Sequence, residues 1–99
     1  MPKYSADEYH PPIVEKLLRE RGFEHLRARK YGSSVIVESG PKGEVFKHIR
    51  LTRQAVHIWT VDMADRRGRW ESTPFRASLE ELVAAVADTF PWTLQNPFA

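Results

Sequence analysis

Hydrophobic spacing along this chain switches from a helical period to an alternating one and back again. Ile13, Val14, Leu17 and Leu18 recur at i, i+4 spacing, which lines one side of a helix. Pro11-Pro12 is tolerated in a first turn, where a missing N–H would be unpaired anyway, and Gly22 supplies a left-handed stop. The pattern predicts a helix over Pro12–Arg21, with Phe23 folded back onto its end. From His25 onward the period becomes two. His25–Lys30 reads as a weak strand, Tyr31-Gly32-Ser33 as a turn, and Ser34–Glu38 as a clear strand. Turn formers crowd Ser39-Gly40-Pro41-Lys42-Gly43. Strands follow over Glu44–Leu51 and Val56–Met63, then a polar loop at Ala64–Gly68 and a short strand at Arg69–Ser72. Ser78 with Glu81 has capping-box spacing, and Leu79, Leu82, Val83, Val86 and Phe90 continue as a helical stripe that Pro91 ends. Ser5 with Glu8 has the same spacing, but the two prolines soon after it point to a short turn.

The fold class is α+β: an antiparallel meander of four or five strands between an N-terminal and a C-terminal helix, both on one sheet face. Short turns between successive strands require antiparallel pairing. One domain spans 1–99, with an N-terminal arm at 1–10 and a tail at 91–99 that Trp92, Leu94 and Phe98 pin to the body.

The central hairpin carries the sharpest expectation. A loop at Thr52–Ala55 pairs Leu51 with Val56, Ile49 with Ile58 and His48 with Trp59. Alternation then divides the sheet. Val45, Ile49, Leu51, Val56 and Ile58 form an aliphatic face for the helices, while Phe46, His48, Arg50, His57, Trp59 and Val61 form an aromatic and basic face left open for contact. A different loop length changes which faces coincide.

Composition removes several chemistries. The chain has no cysteine, which excludes disulfides, thiolate nucleophiles and iron–sulfur clusters. The polar start lacks the apolar run of a signal peptide, and no apolar run reaches membrane-spanning length, so the expectation is a cytoplasmic protein with no membrane partner. Net charge is only +2, but its distribution is uneven. His25–Arg76 holds 11 Lys/Arg against 5 Asp/Glu, and the flanks hold 4 against 8. Arg27, Arg29 and Lys30 beside Tyr31, and Arg66, Arg67 and Arg69 beside Trp70, place cations next to rings, a pattern suited to phosphate contacts and base stacking. The helix–strands–helix order is also that of the double-stranded-RNA-binding domain. That family presents lysines at the start of its last helix, where this chain has Glu80 and Glu81. Solvated turn arginines are the plainer reading of both clusters.

Four histidines, His10, His25, His48 and His57, show no metal-ligand spacing, and neither a metal nor a cofactor is expected. His48 and His57 on neighbouring strands, with Arg50, are the candidates for acid–base cleavage of RNA, since imidazole titrates near neutrality and guanidinium stabilises phosphate charge. Gly40-Pro41-Lys42-Gly43 lacks the length and ending of a phosphate-binding loop, and Asp62 and Asp65 read as turn residues.

Gly68-Arg69-Trp70-Glu71-Ser72-Thr73-Pro74-Phe75, Ser78-Leu79-Glu80-Glu81-Leu82 and Phe90-Pro91-Trp92 together resemble the C-terminal part of small bacterial proteins of uncharacterised function. The resemblance covers about a third of the chain. It implies a bacterial origin and a shared fold, but no activity. As architecture, Trp70 alternates inward on an edge strand, Thr73-Pro74 ends it, and Ser78 caps the helix.

The leading expectation is therefore a non-enzymatic binding or regulatory module acting through the aromatic–basic face, on a protein partner or on a second copy as a homodimer. An RNA- or DNA-binding protein using the basic loops is the alternative. A small nuclease using His48 and His57 is the third reading.

Overall fold

A computed structural model describes residues 4–41, 43–65 and 67–96. Helix α1 (His10–Glu20) is followed by strands β1 (Arg27–Tyr31), β2 (Ser34–Ser39), β3 (Phe46–Ala55), β4 (Ile58–Ala64) and β5 (Trp70–Ala77), then helix α2 (Leu79–Thr89) and a 3-10 turn at Pro91–Leu94. The five strands form one antiparallel sheet in chain order. The α+β meander between two helices is thus the architecture of the molecule.

Local chemistry accounts for the helix ends. The amides of Gly22 and Phe23 return to the carbonyls of Arg19 and Leu18 at 2.9 and 3.0 Å, and Gly22 has φ 91°. That is a paired C-terminal closure which a side chain at Gly22 would strain. At α2, the Ser78 hydroxyl accepts the Glu81 amide at 3.2 Å and donates to the Glu81 carboxylate at 2.9 Å. The cap expected at Ser78 is formed, its hydroxyl bonded to both the amide and the carboxylate of Glu81.

Both helices lie on one side. Val14 and Leu18 of α1, Leu79, Leu82, Val83 and Val86 of α2, and Leu94 of the tail share a single core with Val35, Val37, Ile49, Leu51, Trp59 and Val61 from the strands. Leu94 is fully buried and pins the tail, whereas Trp92 stays 62% exposed. Phe98, assigned the same pinning role from sequence, lies outside the described residues.

The hairpin register departs from the sequence expectation. Thr52–Ala55 are strand residues, and the turn is Val56-His57. Leu51 therefore faces Val61, Thr52 faces Thr60 and Arg53 faces Trp59. Sliding β4 along β3 by an odd number of positions exchanges its two faces. Trp59 and Val61 turn to the helices, and Trp59 is 2% exposed, while Ile58 and Val56 are surface residues. Val45, placed on the covered face from sequence, is exposed as well.

Bulges complete the redistribution. Val37 pairs with Ile49 but Glu38 with Lys47, which leaves His48 as an extra residue in β3. An inserted residue reverses the alternation beyond it. His48 consequently points to the same side as Ile49 and is 1% exposed. A second interruption lies in β5, where Thr73-Pro74-Phe75 stand opposite Val61 and the Thr73 hydroxyl donates to the Val61 carbonyl at 2.7 Å. Proline fits there because no ladder donor is needed, and the strand continues past it to Ala77.

Candidate functional site

The six residues assigned to one open face do not share one. Trp59 and Val61 are core, His48 is buried, and Phe46 lies beside His48 with ring centroids 5.0 Å apart. His57 is in the β3–β4 turn and exposed. Arg50 alone of the six stands on the uncovered face. The open aromatic–basic face as drawn from sequence is overturned by the register and the His48 bulge.

The histidine pair separates for the same reasons. Seven positions of extended chain lie between His48 and the vicinity of His57, about 23 Å of strand. Both His48 nitrogens are already engaged, Nδ1 with the Thr93 carbonyl oxygen and Nε2 with the Ser39 hydroxyl, each at 2.7 Å. The carbonyl can only accept, so Nδ1 carries the proton and Nε2 accepts from Ser39. Burial pushes the His48 pKa below its ordinary value, the Thr93 contact opposes this, and His25 adds to it. His48 is a structural group. It holds the 3-10 turn with His25, whose Nε2 donates to the Leu94 carbonyl at 2.6 Å.

A different cationic face exists. Alternation places Arg27, Arg29 and Tyr31 of β1, Ser34, Ile36 and Glu38 of β2, and Lys47, Arg50 and Thr52 of β3 on the side away from the helices. Thr60 and Asp62 of β4 and Trp70, Ser72 and Arg76 of β5 extend the same surface. Trp70 thus faces outward, contrary to the inward orientation expected from sequence. No helix of the described residues covers this side.

The face is positive. Its carboxylates, Glu38 and Asp62, are both engaged. Arg29 Nε donates to Glu38 at 3.0 Å, and Arg50 Nε donates to Asp62 at 2.9 Å, with Nη2 ion-paired to the same oxygen at 2.7 Å. No ion pair involves Arg27, Lys47 or Arg76 among the described residues. Two arginines also lie against rings, Arg29 at 5.7 Å from the Tyr31 centroid and Arg50 at 5.1 Å from that of Trp70. These contacts fix each guanidinium beside an aromatic surface. Ile36 lies between its cross-strand neighbours Arg29 and Arg50 and is 5% exposed, consistent with cover by their aliphatic stems.

Two shallow hollows mark this face. One, of about 510 Å³, is bordered by Arg29, Tyr31, Lys47, Arg50 and Trp70. The other, also of about 510 Å³, meets it at Ser33, Ser34 and Arg50 and is lined by Thr52, Gln54, Thr60 and Ser72. The phosphate candidates from sequence divide between places. Arg27 and Arg29 are on the uncovered face, Lys30 alternates to the other side of edge strand β1, and Arg66 lies outside the described residues. Arg67 and Arg69 stand in the β4–β5 loop, where their amides donate to the Asp65 carboxylate at 2.8 Å each. Asp65 is therefore a turn residue as expected, and Asp62 is instead the strand partner of Arg50.

Tyr31, Lys47 and Trp70 are the surface residues that strand-by-strand reading did not bring together. Adjacency of rings and cations in the sequence was a signal for Tyr31 and Trp70. Their convergence depends on strand order and register. Compared with known proteins, the chain matches no family model, no curated protein and no solved structure.

Proposed function

We propose that this chain is a small non-enzymatic binding module whose working surface is the uncovered sheet face, and that its partner is anionic. One observation carries the reading. The face holds Arg27, Arg29, Lys47, Arg50 and Arg76 against two carboxylates that are already paired. A sheet side built only for solvation has no need of guanidinium groups laid on Tyr31 and Trp70, and convergent cations raise the local concentration of an anionic partner.

Heparin-affinity chromatography tests it. Arg27→Glu/Lys47→Glu is expected to elute at clearly lower salt than the wild type. Lys16→Glu/Lys30→Glu, with the same charge change placed off this face, is the control. Equal shifts in the two double variants would leave net charge alone as the cause and remove the site.

A second reading, a protein partner or a second copy, has its own observation. Phe75, Phe90 and Trp92 form a chain of rings with centroids 5.7 and 5.5 Å apart, and Phe75 and Trp92 are exposed. Exposed rings in contact suit an apolar interface. Light scattering after size exclusion would show a dimer that Trp92→Ala returns to monomer. A wild-type monomer over the whole concentration range would remove the self-association version.

A further inference from the structure

We propose that the uncovered face binds single-stranded nucleic acid, with one base stacked on Tyr31, a second on the Arg50 guanidinium backed by Trp70, and phosphates at Arg27, Arg29 and Lys47. This deepens the preceding reading and rests on it.

The two rings border one hollow and differ in role. Tyr31 is 66% exposed at the end of β1, so a base can reach its ring from solvent. Trp70 already carries Arg50 at 5.1 Å, and a hydrogen bond and ion pair to Asp62 hold that guanidinium in place. A third of the Arg50 side chain remains exposed, which presents a planar cation to whatever enters. Bases stack on aromatic rings and on guanidinium planes alike, and every base has a face to offer. Stacking therefore needs no particular sequence.

The second hollow continues the path past Arg50. Its lining includes Thr52, Gln54, Thr60 and Ser72, with Asp62 paired to Arg50. Gln54 donates to Thr60 at 3.1 Å, which leaves its amide oxygen as an acceptor for base edges or sugar hydroxyls. The cations flank the first hollow on β1 and β3, where a backbone crossing the strands would run.

Other anionic partners fit less well. In a duplex the bases are stacked on one another and closed to Tyr31, and among the described residues no helix rises from this face to enter a groove. An acidic protein would need an apolar anchor. Ile36, the aliphatic side chain between Arg29 and Arg50, is 5% exposed and gives no aliphatic anchor, and the rings that remain, Tyr31 and Trp70, stand beside Arg29 and Arg50 as stacking platforms.

Fluorescence anisotropy with labelled oligomers of about 12 nucleotides, within the usual site sizes, provides the test: one RNA, one DNA, and the duplex of that DNA. Both single strands should bind more tightly than the duplex, and their ratio reports whether RNA or DNA is preferred. Tyr31→Ala should weaken single-strand binding roughly 5- to 150-fold, the range for one lost stacked base, while Tyr31→Phe retains it. Three phosphate contacts should cost about 20-fold in affinity between roughly 50 and 200 mM salt. Trp70→Ala is to be read beside Trp70→Phe, with thermal unfolding of each variant to separate lost stacking from lost fold.

Equal binding of duplex and single strand with no effect of Tyr31→Ala overturns this inference, even where the heparin test holds. Poly-glutamate bound as tightly as the oligomers also overturns it. Failure of the heparin test instead removes the underlying reading of the face.

Discussion

His48 of β3 donates its Nδ1 proton to the Thr93 carbonyl oxygen at 2.7 Å, tying the inserted bulge residue to the C-terminal turn. The bond joins positions 45 residues apart, and the same imidazole accepts from buried Ser39. A turn of four residues cannot hold itself on a core, and Leu94 with this pair of bonds does so. His48→Leu keeps an apolar side chain in the site but leaves the Ser39 hydroxyl and the Thr93 carbonyl unmet. At about 1–3 kcal/mol for each of the two stranded groups, the expected loss is about 2–6 kcal/mol. Urea unfolding gives the total, and amide exchange should show Thr93 and Gln95 opening first.

Acid should weaken the fold through two histidines. Burial pushes the pKa of both His10 and His48 below the ordinary 6.5; Arg53 adds to this at His10, where Asp7 and Glu80 oppose it. Well above pH 6.5 both groups are neutral in the folded and unfolded chain, and their full contribution to stability is present. Below it the unfolded chain takes up protons that the native state resists, so stability falls with pH until the depressed native values are passed. Thermal unfolding from about pH 8 to pH 5 should show Tm declining below the ordinary imidazole value, and His48→Leu should flatten part of the decline. An unchanged slope in that variant would remove His48 from the effect.

Trp59 separates the observed register from its alternative. On the core side it meets the His10 ring edge-on with centroids 4.9 Å apart and is fully enclosed. Trp59→Ala should therefore cost about 3–5 kcal/mol in urea unfolding. Loss below about 1 kcal/mol, the ordinary cost of a surface change, would contradict the burial.

The order of elements and the side chosen by the helices were readable because caps, stops and periodicities are local. Gly22, Ser78 and Pro91 each act within a few residues, and Leu79 to Val86 repeat at one spacing. Register was not readable from Thr52-Arg53-Gln54-Ala55, four residues compatible with either a loop or an edge-facing strand. What selects the strand is non-local: the Ser34 hydroxyl pairs with Thr52 at 2.9 Å, and the Arg53 amide donates to the Ser33 carbonyl at 2.9 Å. Neither contact leaves a trace in a single hairpin's pattern. The His48 bulge is equally silent, since one inserted residue looks like ordinary alternation until its partner strand is known. The binding surface inherited both errors, because Arg50 was correctly outward while every ring assigned beside it was not.

Arg53 offers the most direct test of the revised hairpin. Its guanidinium donates to the Val56 carbonyl from Nε at 3.3 Å and Nη2 at 2.9 Å, closing the turn, and from Nη1 to the Ser5 carbonyl at 2.9 Å. A further contact reaches Asp7 at 3.4 Å, with the Arg53 side chain only 12% exposed. One fork therefore joins the β3–β4 turn to the N-terminal arm. Arg53→Ala should cost about 1–3 kcal/mol through these lost charge-assisted bonds. Arg53→Lys should restore little, because a single ammonium cannot span both carbonyl groups. Limited proteolysis should then cut first near Ser5, where the arm has lost its anchor, and not within α1. Cleavage patterns identical in wild type and Arg53→Ala would show that the arm is held without Arg53, by the burial of Ala6 and the bond from its amide to the Gly32 carbonyl at 3.1 Å.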